Sequence, residues 1–148
     1  MLFPHVDSDD EEERAPTRAE LAKAKVEARM RLREHTDWVL EEFRAYLWES
    51  YRVYPDAVVF DVEDALSRID HAVFSTDCSE DLYAETDGTT IWISKSAMNF
   101  TEVVAALIHE ALHDSVFVLR LTRDGGRKVM SCHDEHCVMS RLGCSVGV

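Results

Sequence analysis

Residues 99–113, NFTEVVAALIHEALH, constrain this 148-residue chain more than any other stretch. Asn99 carries a side-chain oxygen suited to capping a helix N-terminus, and Glu102 stands at the reciprocal third position. Met98 and Val103 are spaced as a hydrophobic staple. These signals start an α-helix here, with HEALH expected to lie inside it. The remaining residues of that helix, Val103, Val104, Leu107, Ile108, Ala111 and Leu112, are apolar. Burying Glu110 between two histidines in such a setting is costly unless all three have partners.

Residues four apart on an α-helix differ by about 40° around its axis. His109 and His113 therefore project from one face, where two imidazoles can share one Zn²⁺ at about 2.0–2.1 Å. Glu110 is rotated by about 100° from His109. That offset makes it a poor third ligand, but lets it act as a base on water that the ion has acidified, and then deliver the proton to a leaving amine. Together these residues make the H-E-x-x-H pattern. With seven His and fifteen Glu in the chain, chance placement yields it about 3% of the time. The competing reading is a polar surface stripe on an ordinary helix.

A catalytic zinc takes three protein ligands and leaves one position open. The candidates for the third crowd into SCHDEHCVMSRLG, residues 131–143. His133 lies twenty residues after His113, and His136 lies twenty-three after it. HDEHCVMSRLG is expected to begin another helix, with Val138, Met139 and Leu142 facing inward. Asp134 and Glu135 then suit its positive N-terminal end. The expectation is that His133, at the leading end, points across to the first helix, with His136 as the alternative. Cys132 and Cys137 leave open a separate structural zinc held by CHDEHC, although that spacing is tighter than in ordinary zinc modules.

Around this stretch the chain is expected to form one domain behind a tail. Residues 1–16 are an acidic, low-complexity tail, six acids against Arg14, with little to bury. Residues 17–148 form the domain, divided into a helical region 17–52 and a zinc-site core 53–148. Thr17 and Glu20 have capping-box spacing after Pro16. The segment they open is one long helix or two meeting near residues 35–37. Trp38, Val39, Phe43, Tyr46, Leu47 and Tyr51 form an aromatic stripe assigned to core packing. Residues 57–62, AVVFDV, read as a buried strand, followed by a short helix. LYAETDGTTIWIS, residues 82–94, reads as a hairpin, because Asp87-Gly88 is the dipeptide that a two-residue type I′ turn prefers.

The formal net charge is −13, which argues against a broad nucleic-acid-binding face. The exception is a local cluster, Arg120, Arg123, Arg127 and Lys128, around Gly125-Gly126; a solvated loop or hairpin tip is the simplest reading, and any DNA contact belongs there. The longest apolar run, VVAALI, is too short to cross a membrane. The N-terminus lacks the pattern of a secretory signal. An intracellular location, cytoplasm or nucleus, is therefore expected, with Cys78, Cys132, Cys137 and Cys144 as free thiols or metal ligands.

The chain resembles the SprT-like zinc metalloprotease family, which includes the Spartan-type proteases acting on DNA–protein crosslinks. LIHEALHDSVF, CHDEHCVMSRLG and the preceding hairpin LYAETDGTTIWISKSA carry the resemblance, which spans about residues 35–143. It implies an α+β fold, with helices packed on a small antiparallel sheet or hairpin and an active-site helix carrying H-E-x-x-H. It implies His109, His113 and His133 as ligands of one catalytic Zn²⁺, Glu110 as general base, and a cleft-side strand, 90–94, pairing with an extended protein substrate. Asp134 stands where the family more often has glycine, and Cys137 near an expected aromatic residue. Peptide-bond hydrolysis thus carries over better than crosslink repair. Two other readings stay open: a non-catalytic binding or adaptor protein whose zinc only stabilises a protease scaffold, and a metal-dependent hydrolase acting on other bonds.

Overall fold

A computed structural model of the chain describes residues 15–75, 84–94, 99–119 and 127–143; for 127–129 it describes the backbone alone. The acidic segment 1–14, Cys78, Cys144, Met98 and the side chains of Arg120, Arg123, Arg127 and Lys128 lie outside what is described, so the readings placed on them stand as expectations. The described residues form an α+β fold of five α-helices and two three-stranded sheets. None of these helices is long and apolar enough to cross a membrane.

Helix α1 (Arg18–Glu34) opens on the Thr17–Glu20 capping box, with both reciprocal hydrogen bonds formed. It ends at His35, and α2 (Thr36–Tyr51) begins at once, so the helical region is two helices. On α2, Val39, Phe43, Tyr46 and Leu47 are buried. Tyr51, the last member of the aromatic stripe, is 58% exposed and does not pack in the core. A 3₁₀ turn at Pro55–Ala57 leads into β1 (Val58–Phe60), where only Val58 is fully buried. The expected buried strand is in fact half-covered, because β1 has a partner on one side only. Helix α3 (Val62–Asp70) is capped by Asp61 and followed by β2 (Val73–Ser75).

Strands β3 (Ala84–Thr86) and β4 (Ile91–Ser94) pair antiparallel, with Thr86 opposite Ile91. The loop between them is four residues, Asp87–Thr90, not the expected two-residue type I′ turn. Asp87 Oδ1 accepts from the backbone N–H of Thr89 and of Thr90, each at 2.9 Å. That bonding stabilises a wider Asx-type loop and holds the Asp87 carboxyl down at about 2. Parallel pairing with β2 completes a sheet of order β2-β4-β3. Strand β4 is thus central, with both edges occupied. It cannot accept an extended substrate, because strand addition needs unpaired backbone groups. The outer strands of that sheet are β2 and β3.

Helix α4 (Phe100–Leu112) carries the capping box read from Asn99 and Glu102. It packs on β3 and β4 on one side and on α1 and α3 on the other. Val104, Leu107, Ile108, Ala111 and Leu112 are fully buried, against Ile91 and Ile93 of the sheet and Leu32, Leu66 and Ile69 of the helices. Strands β5 (Val116–Leu119) and β6 (Arg127–Val129) form the second sheet, order β1-β5-β6, antiparallel throughout. Helix α5 (Cys132–Leu142) then packs on α2. It buries Val138, Met139 and Leu142 as expected, and Asp134 and Glu135 as well.

Candidate metal centre

Helix α4 stops one residue short of the second histidine of its motif. His109 and Glu110 occupy the last turn, while His113 caps the helix with an extended backbone (φ −60°, ψ 130°). HEALH is therefore not wholly helical, and the turn that follows fixes where His113 points. Ser115 N–H and Oγ–H both donate to the Leu112 carbonyl, at 3.3 and 3.0 Å. The Ser115 carbonyl accepts from Asp61 N–H at 2.8 Å. Asp114 sits in the left-handed region (φ 63°). Its carboxylate leaves no room opposite: a Cβ on Gly88 would stand 3.2 Å from Asp114 Oδ2, and Gly88 itself has φ +94°.

Two buried charged residues clamp this turn. Arg68 of α3, 2% exposed, donates Nη1 to the His113 carbonyl and Nη2 to Asp64 at 3.0 Å. Glu135 of α5, also 2% exposed, uses both oxygens. Oε1 meets His113 Nδ1 at 3.0 Å, and Oε2 accepts from Asp114 N–H at 2.8 Å. A carboxylate on Nδ1 holds the proton there and leaves the Nε2 lone pair free to face a metal.

The Nε2 atom of His113 lies 3.3 Å from His109 Nε2 and 3.1 Å from His136 Nε2. The three rings form a nearly equilateral group, with centroids 5.0, 4.9 and 5.1 Å apart. Three imidazoles thus converge closely enough to bind a metal ion. Ligand nitrogens about 2.0–2.1 Å from a tetrahedral centre are about 3.3 Å apart, so the observed spacing fits.

The third ring is His136, not the expected His133. The helical wheel supplies the reason. The buried face of α5 is Asp134, Glu135, Val138, Met139 and Leu142. At about 100° per residue, His136 lies about 130° from the centre of that face, on the flank toward α4. His133 lies about 170° away, pointing to solvent. There its Nε2 is 3.8 Å from Cys137 Sγ, and it takes no part in the three-histidine group.

Charges around the cluster are mostly negative. Burial is the main cause that pushes the Glu110 carboxyl up to about 7; His113 pulls it down, while Glu85 and Glu135 add to the rise. Burial works against a charge on His113, but the hydrogen bond and charge of Glu135, aided by Glu110 and Asp114, outweigh it and raise its pKa. Burial, then the neighbouring His113, keeps His136 below the ordinary histidine value.

Helix α5 is anchored from its other side. Asp134 Oδ1 accepts from Tyr46 Oη at 2.5 Å and from Tyr51 Oη at 2.8 Å, and Oδ2 accepts from Ser131 Oγ at 2.8 Å. Burial opposes ionisation of Asp134, yet these hydroxyls hold its pKa below the usual value. They raise both tyrosines in return, the bond to Asp134 being the largest cause in each. Sequence alone gives no reason to place Arg68, Tyr46 or Tyr51 at this site, and it marks Asp134 and Glu135 as acids suited to a helix N-terminus without showing that they are buried. No family model matches the chain, and neither a curated protein nor a solved structure matches it.

Proposed function

We propose that this chain is a zinc-dependent endopeptidase, as the SprT-like resemblance implies, with His109, His113 and His136 as the ligands and Glu110 as the general base. The observation that carries the reading is the convergence of three Nε2 atoms beside a carboxyl group whose proton is held near neutrality. Three neutral imidazoles suit a borderline-soft divalent ion and leave a tetrahedral position for solvent. Bound there, zinc supplies Lewis acidity that makes water a nucleophile near neutral pH.

The rest of the chemistry falls to the chain. Glu110 follows His109 directly at the end of α4, on the side where Glu85 of β3 acts on it. A carboxyl poised at about 7 both accepts a proton from water and returns it to a departing amine, which is the match a shuttling group needs. Glu135 and Arg68 keep the His113 ring and backbone from drifting during turnover. Strand β3 is an outer strand of the sheet that packs on α4, and an extended peptide added there would gain affinity without strong sequence demands. Proteins associated with DNA are the substrate class that the resemblance suggests.

The test is Glu110→Gln in purified, zinc-loaded protein, with digestion of an unfolded protein as the assay, with and without single-stranded DNA. The variant is expected to keep one zinc per chain and to lose cleavage. Full activity in that variant removes Glu110 from the mechanism, and a metal-replete wild type inert toward every unfolded protein rejects the peptidase reading.

A further inference from the structure

We propose that Tyr46, Tyr51 and Asp134 are positioning residues of the metal centre: their hydrogen bonds fix the rotation of α5, and that rotation delivers His136 to the other two imidazoles. This rests on the metal site proposed above and adds what holds its third ring in place.

His109 and His113 lie on one stretch of chain, but His136 is brought to them by a separate helix. The helix that α5 packs on is α2, not α4. Asp134 and His136 are two residues apart, hence about 200° apart around the axis of α5. The carboxylate faces α2, and the imidazole faces the two histidines on the other side. A ring nitrogen about 6 Å from the helix axis moves about 2 Å when the helix turns by about 20°. A zinc–nitrogen bond is only about 2.0–2.1 Å long, so a rotation of that size removes His136 from the shared centre.

Apolar contact through Val138, Met139 and Leu142 is non-directional. Hydrogen bonds to a carboxylate are short and directional, so they set rotation where packing does not. Tyr46, buried on α2, donates to Asp134 Oδ1 at 2.5 Å. Packing does not account for Tyr51, which is 58% exposed, yet its hydroxyl meets both oxygens of Asp134, at 2.8 and 3.0 Å. The remaining hydroxyl, Ser131 Oγ at 2.8 Å, belongs to the cap of α5 itself, so the two tyrosines are what tie this part of the helix to α2. The far end is tied separately, by Arg141 to Glu49 at 3.3 Å. The tyrosine–aspartate network therefore acts on the half of α5 that carries His136. Glu135, the next residue, bonds the turn after α4. Two adjacent carboxylates thus lock the helix on one side and the His113 turn on the other.

The probe is Co²⁺, titrated at equilibrium into the full-length protein and followed by absorption spectroscopy, with circular dichroism confirming that each variant is folded. Loss of a group that orients a ligand costs about 10–100-fold in metal affinity. Removing both hydroxyls, in Tyr46→Phe with Tyr51→Phe, is expected to weaken Co²⁺ about tenfold. It should also replace the intense visible bands of four-coordinate cobalt by the weak ones of higher coordination. The same pair of changes made in His136→Ala is expected to alter the residual affinity less than twofold, because residues that act through one side chain lose their effect when it is gone. If the double variant does not fold, Tyr51→Phe alone, at an exposed ring, is read in the same two backgrounds, with about threefold expected. A folded variant with wild-type affinity and spectrum overturns this inference and leaves the histidine site intact. So does an equal loss in both backgrounds, which would mean that the network only stabilises the fold. Failure of wild type to bind cobalt, or binding by His136→Ala as tight as wild type, overturns the proposed ligand set as well.

Discussion

Replacing Glu110 by Gln should stabilise the metal-free protein at alkaline pH while it destroys the proposed base. The native chain holds the Glu110 carboxyl at about 7, against an ordinary 4.5, chiefly because burial disfavours the charge. That difference, at about 1.4 kcal/mol for each pH unit, corresponds to about 3.5 kcal/mol. The side chain is partly exposed and solvent screens some of the effect, leaving about 1–3 kcal/mol. The sign follows from linkage. Below pH 4.5 the carboxyl is protonated in both folded and unfolded chains, and the variant gains nothing. Between 4.5 and 7 the unfolded chain ionises while the folded one resists, so wild type loses stability as pH rises. Above 7 the loss is complete and the gain from Gln reaches its plateau. In a chain of this length each kcal/mol shifts the melting temperature by about 2–4 °C, so the variant should melt about 2–12 °C higher at pH 8 with a chelator present. At pH 4 the two should coincide. Saturating zinc should shrink the difference at pH 8, because a nearby cation favours the ionised carboxylate. Equal melting at pH 8, or a gap that is the same at pH 4 and pH 8, would refute the claim that burial holds this carboxyl above its usual range.

Other expectations follow from the same geometry. His136→Ala should lose the metal and His133→Ala should keep it, as read from metal content after desalting; the reverse would restore the ligand set expected from sequence. Glu135→Gln removes the charged acceptor on His113 Nδ1, so zinc affinity measured by chelator competition should fall about 10–100-fold; unchanged affinity would mean that His113 needs no such partner. Asp134→Ala leaves two tyrosine hydroxyls and Ser131 without their acceptor and should cost about 1–3 kcal/mol in chemical unfolding. Metal affinity should fall as the pH is lowered, since the raised pKa of His113 helps protons compete for its nitrogen; an affinity that does not change with pH would contradict that competition.

The parts of this fold that were legible in the sequence are those stabilised by near neighbours. Both capping boxes rest on hydrogen bonds between residues three apart, so the letters alone suffice. Strands β2, β5 and β6 are three or four residues long. Such strands exist because of partners far along the chain, as in the parallel pairing of Val73 with Trp92. The loop after β3 shows how a local rule fails. Asp-Gly favours a two-residue turn, but Asp87 found two backbone donors two and three residues on, and the wider loop won.

The histidine that joins the other two is legible in the sequence once rotation is considered. Val138, Met139 and Leu142 already define the inner face of α5, and a wheel drawn from them sets His136 nearer that face than His133. The ring at the leading end of the helix comes first in position, but rotation carries it to the solvent side. Arg68 was not legible in the same way. Its bond to the His113 carbonyl joins residues forty-five apart, and near the end of α3 it looks like any base at a helix C-terminus. What distinguishes it, and Glu135 with it, is the cost of burying an ionised group, which is tolerated only where geometry supplies partners. Both buried charges converge on the turn that aims one imidazole at the other two. A histidine pair on an ordinary surface helix would not need such a clamp, and its presence here is what the proposed metal centre would require.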